Sequence, residues 1–197
     1  MKKGTLTLII ILGVILLLGG CGCGKYNGLV TADQKVRTAT ANIEAQYQRR
    51  ADLYNSVVKT IEGSANFEKS TLKEVLEARS RATSVTINAD DPASLERFQQ
   101  AQAQLQGAFS RLMAVAENYP DLKTTQAFRD FQTQQEGTEN RINTARIDFN
   151  NVVQDYNLQV RTFPNNIFAG IFGFKEKAAF QADPGANQVP DINFDIK

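Results

Sequence analysis

The sequence predicts an all-α protein: an antiparallel bundle of four long helices with an extended amino-terminal helix and a short carboxyl-terminal capping segment. Three observations predict it. Apolar residues recur at alternating three- and four-residue steps through four long stretches, which puts one stripe on one face of each helix. The 197 residues include only 5 prolines and 13 glycines, and several of those glycines lie near Cys21, so long stretches are free of helix breakers. No stretch of useful length shows the two-residue alternation of a half-buried strand.

The amino terminus reads as an export segment. Lys2 and Lys3 precede the apolar run Leu6–Leu18, interrupted only by Thr7 and Gly13. As a helix this run spans roughly 20 Å against the ~30 Å of a bilayer's hydrocarbon core, a length that suits a signal peptide better than a transmembrane helix. It ends in Leu18-Gly19-Gly20-Cys21, which resembles a bacterial lipobox, with Cys21 as the residue that receives lipid. A retained amino-terminal helix is the alternative, and both readings export the rest of the chain. Cys23 would then be a lone exported thiol. Residues 1–20 are therefore signal peptide or anchor, 21–180 a helical bundle domain, and 181–197, which holds Pro184, Gly185 and Pro190, an extended or disordered tail.

The first helix is predicted from about Tyr26 to Glu62, with Tyr26, Leu29, Val36, Ile43, Tyr47, Tyr54, Val57 and Ile61 on its seam. Asp33, Thr40 and Arg50 share that seam. A turn at Gly63–Asn66 leads to a second helix from Phe67 to about Ser84, carrying Phe67, Leu72, Val75, Leu76 and Ala82. Asp91 and Pro92 suit the N-cap and first position of a third helix, which reaches about Asn118. Its stripe is Leu95, Phe98, Leu105, Phe109, Leu112, Ala116 and Tyr119, with Gln102 on the line. The fourth helix lies between Thr124–Thr125 and Phe163-Pro164. Its seam is Phe128, Phe131, Ile142, Ala145, Phe149, Val152 and Tyr156, with Gln135 and Thr138 filling it past Gly137. Phe163–Phe180 is dense in aromatic and aliphatic residues; it reads as a cap on the bundle core, with Phe172 inside and partial exposure at Ile171 and Phe174.

Residue by residue, part of the chain resembles the LemA family. ENYPDLK at Glu117–Lys123 and EGTENRI at Glu136–Ile142 carry the resemblance, followed by Ala145-Arg146, Asp155-Tyr156-Asn157, RTFPN at Arg161–Asn165 and AGIFGF at Ala169–Phe174. YNGLV at Tyr26–Val30, QRRADLYNSV at Gln48–Val57 and EVLEAR at Glu74–Arg79 are similar to its earlier part. The resemblance implies a membrane-anchored, all-helical protein with its bulk outside the cytoplasm. The family's molecular role is largely unassigned, so it implies fold and address rather than activity. Some members are associated with membrane biogenesis.

Composition excludes several function classes. Net charge is +1, and without Lys2 and Lys3 it becomes −1, with 20 basic against 21 acidic residues. No global field favours nucleic acid. The chain has no histidine, which removes histidine bases, ligands and pH switches. No phosphate loop or serine-nucleophile signature is present, so no catalytic residue, cofactor site, metal site or small-molecule substrate is expected. Arg50, on an apolar seam, requires an opposing carboxylate, with Glu136 and Glu139 as candidates for an interhelical pair. Asn143, Asn150 and Asn157 repeat every seven residues and read as a solvated face, or else as a ladder for a partner helix.

The expected function is that of a non-enzymatic, membrane-anchored envelope protein, exported to the periplasmic or extracellular face, acting as an interaction scaffold for an unidentified envelope protein. The alternative is a membrane-organising protein that uses its Phe-rich carboxyl segment. The candidate residues are Cys21 for lipidation and Phe168, Ile171, Phe172, Phe174, Lys175 and Lys177 for a partner or membrane surface.

Overall fold

The computed structural model describes residues 3–62, 68–119 and 126–181, with backbone alone for residues 3, 5–11, 13–21 and 127. It is all-helical, in the order α1 Lys3–Glu62, α2 Lys69–Ser84, α3 Pro92–Ala116, α4 Gln126–Arg161 and α5 Asn165–Phe172. α1 is longer than its seam predicts. It continues without a break through Gly20, Gly22 and Gly24 to Lys3, because the residues before Tyr26 contain no proline to remove a backbone donor.

The helices pair antiparallel along their apolar stripes. Leu29, Val36, Ile43 and Tyr47 of α1 share one core with Leu95 and Phe98 of α3 and with Ile142, Phe149 and Tyr156 of α4. Tyr54, Val57, Val58 and Ile61 share a second core with Leu72 and Val75 of α2, Leu105, Phe109 and Leu112 of α3, and Phe128 and Phe131 of α4. Here Tyr54 stacks on Phe109 with ring centroids 3.7 Å apart. Asp91 caps α3 as the sequence predicts: its side chain accepts the Ala93 amide at 3.0 Å, and Pro92 occupies the first turn.

Four apolar stripe positions differ from expectation, Tyr119 being half-buried beyond the end of α3. Tyr26 and Leu76 are exposed, and Val152 is only half-buried while Val153 is buried. The last is the drift of a straight helix, about 20° per heptad against a strict seven-residue repeat. Phe67 lies outside the described residues.

Between the two cores lies a polar layer. Arg50 is buried and donates through Nη2 to Gln102 Oε1 at 2.8 Å. Its Nη1 lies 3.5 Å from Glu139 Oε1 and its guanidinium 4.9 Å from the centre of the Tyr47 ring. Gln102 passes the layer on, donating to the Ala82 carbonyl at 3.2 Å. Glu139 is thus the carboxylate that Arg50 requires, while Glu136 is exposed. Burial pushes the Tyr54 phenol up to about 12, with Arg50 opposing the shift and Glu139 adding to it.

Phe149 is fully buried in the core that α1 and α3 residues share. Phe149→Ala should cost about 3–5 kcal/mol. Asn151 is exposed, and Asn151→Ala should cost about 0.5 kcal/mol or less. Urea denaturation of the two variants checks the difference; similar small losses would place the seam on another face.

Candidate functional site

The carboxyl-terminal part of the described chain returns to the amino-terminal part of the bundle. After α4 the chain turns at Pro164, runs through α5, and leaves it at Gly173, whose φ of 78° is the left-handed conformation that glycine accepts without cost. α5 packs against both α1 and α4. Ala169 faces inward and is buried. Phe168 is half-buried, and its Cε1 would lie 3.3 Å from a Cβ at Gly22, so the glycine permits this close approach. Phe172 packs edge-on against Tyr26 with centroids 4.8 Å apart, and Phe174 does so at 6.0 Å.

The opposite side of this segment is bare. Phe163 is 81% exposed, Ile167 53%, Ile171 69% and Phe172 47%. Ile167 and Ile171 lie four residues apart on one face of α5, and with Phe163, which precedes the helix, they form an exposed apolar stripe. The segment caps the core through Phe168, Ala169, Phe174, Ala178 and Phe180. The expectation that Phe172 lies inside the core does not hold: its ring covers Tyr26 at the rim instead.

Residues 174–181 then form a strap across α4. The Asn157 side chain clamps Lys177 by both backbone groups: it accepts from the amide at 2.8 Å and donates to the carbonyl at 2.9 Å. Asn150 clamps Phe180 in the same way, at 2.9 and 3.0 Å. One heptad of helix rises about 10.5 Å, close to the reach of three extended residues, so two asparagines seven apart hold residues three apart. Ala178 donates to the Ala89 carbonyl at 2.9 Å, and the Gln181 carbonyl accepts from Arg146 at 3.1 Å and from Gln99 at 3.4 Å. Phe180 is buried edge-on to Phe149, 5.2 Å between centroids, with the Arg146 guanidinium over its ring.

Lys177 therefore does not belong to an exposed surface, as its sequence setting suggests. It is buried, and its ammonium lies 2.8 Å from Asp33 Oδ1, 2.7 Å from Asp90 Oδ1 and 5.0 Å from the centre of the Tyr156 ring. Burial alone would lower its pKa, but the two carboxylates outweigh burial and hold it above the ordinary lysine value. For Asp33, burial would raise the carboxyl; hydrogen bonds from Lys177 and Arg37 outweigh that and hold it below the ordinary value.

Of the candidate surface residues, Phe168, Phe172 and Phe174 are thus brought together beside Gly22 and Tyr26 of α1, while Ile171 and Lys175 are exposed. The Cys21 side chain lies outside the described residues. Cys23 is a free, exposed thiol. Asn150 and Asn157, which the heptad spacing assigns to a solvated face, are the strap's clamps; Asn143, third in that series, is exposed. The sequence gives no sign that Asp33, Asp90 and Tyr26 meet this region. Among the described residues, no group of three or more His, Cys, Asp or Glu side chains is placed to hold a metal.

A long helix carrying an antiparallel bundle, closed by a short apolar helix and a clamped strap, defines an all-helical bundle protein. The chain belongs to the LemA family, whose model matches residues 39–194. It is similar to Magnetosome protein MamQ 2 of Paramagnetospirillum magneticum, 26% identical over 182 residues that cover 83% of this chain and 67% of the relative. It is also similar to Protein LemA of Metamycoplasma hominis, 25% identical over 159 residues covering 81% and 70%. Magnetosome protein MamQ of Magnetospirillum gryphiswaldense is 24% identical over 182 residues, covering 83% and 67%.

Lys177→Met should destabilise the protein by about 1–3 kcal/mol near neutral pH, by stripping partners from the half-buried Asp33. A raised lysine pKa contributes stability that is complete below the ordinary value of 10.5 and is lost as pH rises through the higher folded value. The gap between wild type and Lys177→Met, measured by urea denaturation, should therefore narrow above about pH 10.5. Both chains should carry Tyr156→Phe, because Tyr156, raised by burial and opposed by Lys177, would titrate differently in the two. A gap independent of alkaline pH would mean that the lysine acts through its methylenes alone.

Proposed function

We propose that this chain is a membrane-anchored LemA-type protein of the bacterial cell envelope, whose bundle is a non-enzymatic scaffold for protein interactions. The observation that carries this reading is the continuity of α1. One helix runs from the apolar run Leu6–Leu18 through Cys21 along the full length of the bundle, so an anchor at Cys21, or a retained helix before it, attaches to the bundle directly through α1. Among the described residues no helix is long and apolar enough to cross a membrane; the side chains of the Leu6–Leu18 run, apart from Leu12, lie outside the described residues. Leu18-Gly19-Gly20-Cys21 supports a lipid anchor on Cys21. The buried charges of the bundle are engaged in packing: Arg50 with Gln102 and Glu139, Lys177 with Asp33 and Asp90. That leaves its outer faces as the working surface. A membrane-organising role is the second reading, and the bare stripe of Phe163, Ile167 and Ile171 favours it.

Two measurements test this. The intact mass of native protein should correspond to a chain beginning at a lipidated Cys21, and Cys21→Ser should leave an unprocessed precursor. A native mass that keeps residues 1–20 without lipid would replace the lipid anchor by a retained helix. For the scaffold, a photo-crosslinking amino acid at the exposed Ile147 of the full-length chain in cells should give discrete adducts with one or a few envelope proteins. Adducts with lipid alone, or none, would overturn the scaffold reading.

A further inference from the structure

We infer that α5 and the preceding Phe163 form an interfacial foot: the stripe Phe163, Ile167 and Ile171 lies in the headgroup layer of the same membrane that holds the amino terminus. The inference rests on the proposed membrane anchor and adds where the bundle meets the lipid. The geometry of α1 points to it. Phe168 touches α1 at Gly22 and Phe172 touches it at Tyr26, four and eight residues beyond Leu18, the end of the apolar run. At 1.5 Å per residue those contacts stand about 6 and 12 Å outside the end of that run. The polar layer on each side of a hydrocarbon core is roughly 5–8 Å thick. The Phe168 contact thus falls within one headgroup layer of the end of that run and the Phe172 contact just beyond it; counted from a lipid on Cys21, the two contacts stand about 1.5 and 7.5 Å along α1.

The chemistry of the foot matches that location. Interfacial helices bury an apolar face about 5–10 Å into the headgroup and acyl boundary and keep cations at its margin. Here the stripe is aliphatic and aromatic, and Tyr26 beside it has the amphipathic ring common at membrane surfaces. Lys25, next to Tyr26, and Lys175, next to Phe174, are exposed and enter none of the ion pairs among the described residues. Glu176, the one exposed carboxylate of the strap, is paired with Arg161 at 3.6 Å. Anionic lipid headgroups complement that surplus of positive charge. The Asn clamps and the buried Lys177 fix the strap beyond α5, so the stripe is presented by a tethered element.

The chain contains no tryptophan, so a single introduced indole reports on one position. Full-length Ile171→Trp would be reconstituted into vesicles of phosphatidylcholine and phosphatidylglycerol, with or without brominated acyl chains. Leu76→Trp, on α2 in the other core's half of the bundle, serves as the reference. The foot predicts that Ile171→Trp loses about half or more of its emission to brominated lipid, while Leu76→Trp keeps its own and is quenched by aqueous acrylamide. Vesicle flotation of the same samples separates the two readings. A chain that floats with its indole at 171 unquenched by lipid retains the anchor and overturns the foot. A chain that does not float overturns the anchor and the foot together. An indole at 171 shielded from acrylamide without lipid quenching, in step with protein concentration, would assign the stripe to a second copy and also overturn the foot.

Discussion

The register between α1 and α4 is held at its middle by Arg50. Apolar stripes of near-heptad period pack almost as well after a slip of one heptad, because each stripe then meets a similar stripe. A buried guanidinium removes that degeneracy. Shifted by seven residues, Arg50 would leave Gln102 and Glu139 for the place that Val57 now fills in the second core, a loss of several kcal/mol for an unpaired buried charge. The polar layer also marks where the core divides in two, with Tyr47 below it and Tyr54 above it on the same helix face.

Everything at the carboxyl end depends on that register. With α4 antiparallel to α1 and fixed at Arg50–Glu139, the last turns of α4 arrive beside the first buried turns of α1. The turn at Pro164 then delivers α5 to Gly22 and Tyr26. The strap is placed by a second constraint, the match between a helical heptad and three extended residues. Asn157 and Asn150 read this spacing through backbone groups, so the strap's position is independent of most of its side chains. Lys177 is the exception. Its ammonium ties α1 through Asp33 to the α2–α3 connection through Asp90, and the two carboxylates compensate for its burial.

The long helices are legible in the sequence because burial imposes a period, and the period survives even where Gln102, Thr138 or Arg50 interrupts it. Arg50's need for a carboxylate is legible for the same reason: a charge on an apolar seam has few solutions. The role of Gln102 is not, since a neutral amide on the line makes no comparable demand. The strap leaves no periodic trace. FKEKAAFQ at Phe174–Gln181 carries neither a helical nor a strand pattern, and its recognition by Asn150 and Asn157 uses backbone atoms that every residue shares. Heptad asparagines look like a solvated face for that reason. Lys177 reads as a surface residue because lysine is seldom buried, and its partners come from segments distant in sequence. The start of α1 extends beyond its sequence signal because its apolar stripe ends near Tyr26, whereas its backbone hydrogen bonding does not need a stripe to continue.

These constraints combine into one geometry. Between Gly22 and Glu62, α1 rises about 60 Å, with α5 and the strap at one end and the core shared by α2, α3 and the start of α4 at the other. The two ends differ in character. The far end surrounds its aromatic residues: Tyr54, Phe109, Phe128 and Phe131 are all buried. The near end leaves Phe163 and Ile171 outside, although α5 is packed firmly enough to bring Phe168 against a glycine. An apolar stripe bare at one end only, on an element tied down by two asparagines and an ion pair, is the pattern expected where a second surface completes the burial. At that end, α1 itself leads toward the apolar run Leu6–Leu18.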